Sequence, residues 1–403
     1  MKKTLQEALK AIEEKVFPIE NTEIRKTKDC LGYLAGEDIH CPIDIPSFDR
    51  SAFDGYAVAL KNDISKEENI PQTFLIKDAS YAGDHPEEKL YPGEAYRTAT
   101  GAMLPPGADF IIRSEDSHAE GNQLTVNKPL SPKAHIMTRG EDVEKGEVLI
   151  EKGEYLDSYL LSILHSAGVG QVRVYRKPKI LIFTTGNELV NDDAELKPGQ
   201  IYNSNIPFLL YRLREWGYDA DDVGIVPDVK KDIQKLLESK KKEYDLIITS
   251  GGMSIGDRDF MPSLMLELEG NVAFHGLHLK PGQRMALFRL GATDVLSLAG
   301  NPFAFVVGVE ILLRHVLLAI TKNKRLEPKS TTLTLDSEVK NKGESLQVIR
   351  GKIQNGRFLP SKKQLSSVMS EFRNTNGFFL LQPRITYQAG ENIQVYPFRS
   401  QDI

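Results

Sequence analysis

Cysteine is nearly absent: the 403-residue chain has two, Cys30 and Cys41. Two thiols build neither a disulfide framework nor, by themselves, a four-ligand zinc site, and they suit a reducing compartment. An excess of positive charge is also missing. Lys and Arg number 51 against 56 Asp and Glu, a net of −5, which argues against a general DNA or RNA binder. No uncharged apolar run is long enough for a membrane span. The greasiest stretch, 304–320, is broken by Glu310, Arg314 and His315 and reads as a core helix. The amino terminus carries a lysine pair, but its continuation is amphipathic and lacks the apolar core of a signal peptide. A cytoplasmic protein that binds neither nucleic acid nor membrane is expected. Two nucleotide motifs are missing as well. There is no GxxxxGK[ST] phosphate loop, and no GxGxxG opens the first helix of the α/β segment, so P-loop and dinucleotide-dehydrogenase readings fall away.

What is present is ordinary for a globular chain, with 40% hydrophobic and 27% charged residues and a length that suits roughly two to four domains. Residues 1–17 read as a helix, because Leu5, Ala8, Leu9, Ile12 and Val16 recur at helical spacing. Residues 41–48 carry two prolines and read as extended. From Asp49 to about Pro132, short β-like runs are broken by Gly and Pro. A helix returns at 155–167, with Gly168 placed to cap it. From Lys179 the pattern alternates strand and helix, starting from the apolar run Ile180–Phe183, and predicts a parallel sheet covered on both faces. Beyond Leu326 the chain turns β-like again. The fold class expected is multidomain α/β plus β: a central doubly wound α/β domain over 176–327, an inserted small all-β domain over 46–132, a discontinuous helical and extended N-terminal domain over 1–45 and 133–175, and a C-terminal β-barrel-like domain over 328–403. The last 74 residues hold 10 Lys and Arg against 6 Asp and Glu, a net of +4 within a chain of −5.

Ligands of a doubly wound sheet bind beyond the carboxyl ends of its strands. Three such ends are dense in Gly and small polar residues: 184–188 (TTGNE), 249–259 (TSGGMSIGDRD) and 299–302 (AGNP). Glycine permits close backbone approach, and free N–H groups there cradle anions. Any one of these ends alone is more often a plain turn; three together predict a phosphate-bearing ligand. Glu188, Asp257 and Asp259 flank the loops, and carboxylates beside phosphates are what magnesium takes, although acids also cap helix N-termini. His275 and His278 lack a Cys or carboxylate at metal spacing and read as structural or surface residues. Lys280 and Arg284 bracket a Pro-Gly turn, which by itself reads more readily as a solvated turn but could present two cations to an anion.

These residues match a known family. Nearly end to end and in order, the chain resembles the molybdopterin molybdenumtransferases, that is, the MoeA proteins and the gephyrin E-domain. Residues 49–57 (DRSAFDGYA) resemble the family's FDxSAMDGYA signature, and 98–109 (TATGAMLPPGAD) its TGAxLPxGAD segment. Arg139-Gly140-Glu141-Asp142 matches RxxGEDxxxG, and 185–189 matches TGDEL. Residues 250–259 match SGGVSxGxxD, 280–282 match KPGKP, and 300–302 match PGNP.

The resemblance implies a magnesium- or other divalent-ion-dependent enzyme of molybdenum cofactor biosynthesis that inserts molybdate into adenylyl-molybdopterin and releases AMP. It implies a cytoplasmic homodimer with sites shared between subunits, dimerised through the N-terminal domain, and it suggests the pathway's molybdopterin adenylyltransferase as a partner. By resemblance, Thr185, Gly186, Ser250, Gly251, Gly252, Ser254, Pro281, Gly282, Asn301 and Pro302 bind the pterin nucleotide. Asp259, Glu188 and Asp257 hold the metal. Asp54 and Thr100 reach the partner's site, and with Glu188, Asp259 and Lys280 they form the catalytic set. Molybdate falls to Lys280, Arg350, Ser366 and Ser367. The chain departs from the pattern at Gln283 and Arg284, where many members have Lys-Pro, at Phe260 and Met261 in place of Tyr and Lys, and at Phe53 in place of Met.

Three other readings compete. The adenylyltransferase of the same pathway shares the α/β domain, but its loop reads GGTG where this chain has Gly-Gly-Met-Ser at 251–254, and the signatures at 49–57 and 98–109 lie outside that domain. A scaffold without catalysis is at odds with the retention of Asp54, Glu188 and Asp259. Tungstate matches molybdate in size and charge, so a tungsten insertase fits the same residues.

Overall fold

The structure, a computed structural model, describes residues 2–130, 135–251 and 261–398. The chain forms two compact units: Glu23–Val174, and a discontinuous unit of Met1–Thr22 with Tyr175–Ile403.

Within Glu23–Val174, a six-stranded sheet runs in the order Phe110–Arg113, Gly55–Val58, Glu94–Thr98, Gln72–Ser80, Gln123–Val126, His118–Glu120. Only the pairing of Gln72–Ser80 with Glu94–Thr98 is parallel. Alternation along the strands gives two buried faces. Val58, Phe74, Ala95, Phe110 and Leu124 share one core, and Ala57, Tyr96 and Ile111 share the other. Gly55 is required by close approach, because a Cβ there would lie 2.0 Å from the Ile112 carbonyl oxygen. A separate small core holds helix Ser158–Ser166 against Cys30, Ala35, Ile150 and Val174. Asp157 caps that helix, its carboxylate accepting from the Tyr159 and Leu160 N–H groups.

The second unit contains a six-stranded sheet ordered Asp221–Val226, Ile180–Thr185, Leu246–Ser250, Thr293–Leu298, Ala286–Leu290, Asn271–His275. The expected parallel sheet is present with one exception. Ala286–Leu290 runs against its neighbours, because a two-residue turn at Gly291-Ala292 joins it directly to the next strand and leaves no room for a crossover helix. The strand period of two puts Ile180, Ile182, Leu246 and Ile248 in one core with helix Asn205–Glu215 and the long helix starting at Pro302. Leu181, Phe183, Ile247 and Val295 lie in the other core, with Ile233, Leu237, Leu264 and Met265.

Helix Leu5–Lys15 opens with a Thr4–Glu7 capping box. The sequence reading groups it with the N-terminal domain, but Leu5, Ala8, Ile12 and Val16 are buried in the α/β core beside Phe274 and Leu277. Its apolar stripe is as good for one sheet as for another, and tertiary packing decides the partner.

The long helix Pro302–Thr321 is apolar enough to cross a membrane by length and composition, yet most of it is buried inside the protein. Its middle, Gly308–Leu313, is π-helical. There Glu310 is buried between Arg212 (2.7 Å) and Arg314 (2.7 Å), and both guanidiniums lie 4.9 Å from the Trp216 ring. The C-terminal strands Thr331–Leu335, Leu346–Gln354, Arg357–Pro360, Gly377–Leu381 and Asn392–Pro397 close into a barrel, since Leu346–Gln354 also pairs with Gly377–Leu381. Leu335, Phe358, Phe379 and Val395 fill it, while Val348, Phe378 and Phe398 pack outward into the α/β core.

Candidate active site

In the α/β sheet the chain leaves strand Ile180–Thr185 toward one edge and returns on its other side at Leu246–Ser250. The crevice of such a sheet opens between the carboxyl ends of these two strands. Thr185, Gly186, Ser250 and Gly251 sit there. Gly251 has φ +92°, and a Cβ on it would lie 2.6 Å from the Thr185 carbonyl oxygen, so the two loops touch backbone to backbone and only glycine fits. Asn205 joins the third loop to them, its amide donating to Ser250 Oγ (2.8 Å) and to the Gly300 carbonyl (2.8 Å). The hydroxyls of Thr185, Thr249 and Ser297 are buried at these strand ends without a protein partner. Gly252, Ser254, Asp257 and Asp259 lie outside the described residues, as does Phe260.

The structure adds a carboxylate that the sequence reading omits. Asp228 follows strand Asp221–Val226, and its N–H approaches Asn187 Oδ1 at 3.5 Å, in the loop that carries Glu188. Its Oδ1 is buried and unpartnered. Asp228 sits two residues beyond a strand end, and that position was the available signal. Among the described residues, no three His, Cys, Asp or Glu side chains gather as a metal cluster. Glu188 and Asp228 are nonetheless hard oxygen donors on adjoining loops, and magnesium needs only one or two protein carboxylates when phosphates supply the rest.

Beside this crevice lies a cleft of 1220 Å³ between the sheet and the barrel, with Ala299 and Asn301 on its wall. Lys280 reaches it from strand Leu279–Lys280, which pairs in parallel with Leu346-Gln347 of the barrel. Pro281 and Gly282 form the turn below, and Gln283 and Arg284 line the cleft opposite Lys362, Lys363 and Ser366. Four cations and no acid line it among the described residues. Lys363 Nζ is 4.0 Å from Glu371. The Asn301 side chain makes no capping bond; Pro302 has no N–H to offer, and the Phe303 N–H donates to the Ser366 carbonyl (2.8 Å), which ties the start of this helix to the cleft wall.

Arg350 and Ser367 are placed differently from Lys280 and Ser366. Ser367 is exposed and does not line the cleft. Arg350 is wholly buried, and its guanidinium donates to the carbonyls of Lys363 (2.8 Å), Val368 (2.7 Å) and Leu365 (3.4 Å). It stacks 4.2 Å from the Phe303 ring. Burial pulls its pKa below the ordinary arginine value, with Glu371 acting in the opposite sense.

In the other unit, Thr100 donates to Asp54 Oδ1 through its N–H (2.8 Å) and its hydroxyl (2.9 Å). These two bonds hold the exposed Asp54 carboxyl below its ordinary pKa. Phe53, half-exposed beside it, meets the His135 ring edge-on at 4.8 Å.

Three family profiles match consecutive parts of the chain: "MoeA N-terminal region (domain I and II)" over residues 3–168, "Probable molybdopterin binding domain" over 181–319, and "MoeA C-terminal region (domain IV)" over 332–398. A Haemophilus influenzae protein named molybdopterin molybdenumtransferase is 32% identical, covering 96% of each chain. The chain belongs to the MoeA family. A Bacillus subtilis MoeA relative bearing the same name is 30% identical over 94% of this chain and 91% of its own. The crystal structure of a molybdopterin biosynthesis MoeA protein from Pyrococcus horikosii superposes with a TM-score of 0.86 at 31% identity, covering 99% of this chain and all of that one. MoeA relatives are thus named as transferases, and the matches over 3–168 and 332–398 lie outside the domain that the competing adenylyltransferase reading needs.

Proposed function

We propose that this MoeA protein acts on adenylyl-molybdopterin and molybdate in molybdenum cofactor biosynthesis. Two Mo–S bonds to the pterin dithiolene replace Mo–O bonds, the displaced oxygen leaving as water with the thiol protons; water cleaves the phosphoanhydride linking the pterin phosphate to AMP, and AMP leaves. The observation that carries this reading is the adjacency of two sites through residues 299–301. A glycine-lined crevice at the sheet's switch point suits a pterin nucleotide. The cleft beside it, lined by Lys280, Arg284, Lys362 and Lys363, suits an oxyanion.

Ser250 and Gly251, with Asn301 and Pro302 shaping the third loop, orient the pterin nucleotide, and Gly252 and Ser254 continue the first loop. Lys280 and Ser366 hold molybdate, and Arg284 supplies the charge that Gln283 lacks. Glu188 and Asp228, with Asp257 and Asp259, would hold a divalent ion, magnesium being the expected one, whose charge offsets that on the departing phosphate. Asp54 stays ionised because Thr100 bonds to it, and in a homodimer this pair serves the partner subunit's site. The pathway's adenylyltransferase is the expected donor of the pterin nucleotide in the cytoplasm.

The test is AMP release from adenylyl-molybdopterin with magnesium, with and without molybdate, and with tungstate in parallel. Molybdate-dependent release, with a product that activates an apo-molybdoenzyme, is expected. Binding without release under either oxyanion would leave a carrier or scaffold.

A further inference from the structure

We infer that Phe53 and Asp54 together read an amine-bearing planar ring of the ligand. Phe53 stacks on the face of the ring, and Asp54 accepts a hydrogen bond from its exocyclic amine. The inference deepens, and rests on, the reading of the Asp54–Thr100 pair as part of a pterin-nucleotide site.

Phe53 and Asp54 lie in the bend between strands Arg50–Ser51 and Gly55–Val58. Both residues are exposed, and both are held. The buried Ser51 hydroxyl donates to the Phe53 carbonyl (2.6 Å) and accepts from the Phe53 N–H (3.4 Å). His135 meets the Phe53 ring edge-on at 4.8 Å, and the Arg113 guanidinium carbon lies over the ring at 6.0 Å. Phe53 nevertheless keeps 43% of its surface open. An aromatic ring that is already fixed and still bare is a stacking platform with little ordering left to lose on binding.

Asp54 is prepared in the same way. The Ser114 N–H donates to its carbonyl (3.1 Å). Thr100 places two donors on Oδ1, its N–H at 2.8 Å and its hydroxyl at 2.9 Å. Among the described residues, none donates to Oδ2. The bonds from Thr100 keep the carboxyl ionised, so Oδ2 acts as an acceptor and its partner must bring an N–H or O–H. A hydrated cation would use this carboxylate and ignore the aromatic face beside it. A flat heterocycle carrying an amine uses both. Adenylyl-molybdopterin offers two such rings, adenine and the pterin, and each has an exocyclic amine. The chemistry they share is what Phe53 and Asp54 recognise, and the test separates them.

Binding to the full-length protein is measured by calorimetry for AMP and by fluorescence for pterin, with ribose 5-phosphate as the ringless control. Phe53→Leu is expected to weaken AMP or pterin about tenfold, as loss of one stacked base does, and to leave ribose 5-phosphate within about twofold. The ligand that weakens names the ring. Phe53→Trp, with a larger aromatic face, should restore or exceed the wild-type affinity, an effect that a merely structural role would not produce. Removing the amine should matter only while Asp54 is present. Purine riboside 5′-monophosphate in place of AMP, or lumazine in place of pterin, should bind the wild-type protein about tenfold more weakly than its aminated counterpart, and the difference should vanish in Asp54→Ala. Wild-type affinity for both rings in Phe53→Leu overturns the inference. So does an equal loss for ribose 5-phosphate, an amine effect that survives Asp54→Ala, or failure of both rings to bind the wild-type protein at millimolar concentration. Should Phe53→Leu fail to fold, the amine comparison still decides. Absence of AMP release from adenylyl-molybdopterin would remove the proposed reaction, while these binding ratios need no turnover and judge the ring reading separately.

Discussion

Three acidic residues separate by environment. Asp54 is exposed and doubly hydrogen-bonded by Thr100, which keeps it charged. Asp228 has a buried oxygen without a partner, which is costly in a folded protein unless a ligand completes it. Asp228→Asn should therefore leave the melting temperature unchanged or raised, yet lower metal-dependent AMP release at least about a hundredfold, as removal of a metal-holding or transition-state group does. Activity equal to wild type would take it out of the site. Asp294 is the third. Burial pushes its carboxyl up to about 6, against the pull of Arg289 3.0 Å away. The folded protein thus keeps this proton through a range in which the unfolded chain has lost it. The stability it contributes is complete below pH 3.8 and is lost as pH rises through 6, roughly 2–3 kcal/mol in all. Asp294→Asn should flatten that part of the curve in denaturant titrations at pH 4 to 7. Asp245, whose pKa is lowered with Arg176 beside it, works in the opposite sense at the acid end.

At the scale of elements, the long helix starting at Pro302 carries the most consequence. Its first turn meets the cleft, its length fills the core, and its π-helical middle holds Glu310 between two arginines. Arg212 also donates to the Phe398 carbonyl, at 2.6 Å, and so ties helix Asn205–Glu215 to the end of the barrel. Glu310→Ala would leave Arg212 and Arg314 facing each other in the interior, a loss of about 3–5 kcal/mol by analogy with broken buried ion pairs. Thermal denaturation checks this, and a change below about 1 kcal/mol would mean that water reaches the pair. The helix itself was legible from its apolar run, and Glu310, Arg314 and His315 were the reason to place it in a core. The π-helical turn was not legible, because it depends on partners far along the chain.

For the whole molecule, the two compact units each have their own cores, and the Asp54–Thr100 pair lies in a different unit from Lys280. Mixing equal amounts of Asp54→Ala and Asp259→Ala subunits should recover up to about a quarter of activity if sites are completed across a homodimer, since about half of the dimers are then mixed and one of the two sites in each is intact. No recovery from isolated mixed dimers would make each subunit self-sufficient.

The three glycine-rich strand ends, the closed set of β runs after Leu326 and the doubly covered sheet could all be read in the chain. They depend on local spacing and on the strand period of two, which any window of sequence carries. The tertiary structure alone decided that Ala286–Leu290 runs backwards, that helix Leu5–Lys15 belongs to the α/β core, that Asp228 lies against a loop it does not adjoin in sequence, and that Arg350 faces carbonyls. Each of these is a choice of partner. A residue's type sets what it must satisfy, a stripe to bury or donors to pair, and distant chain packed around it sets which group does so.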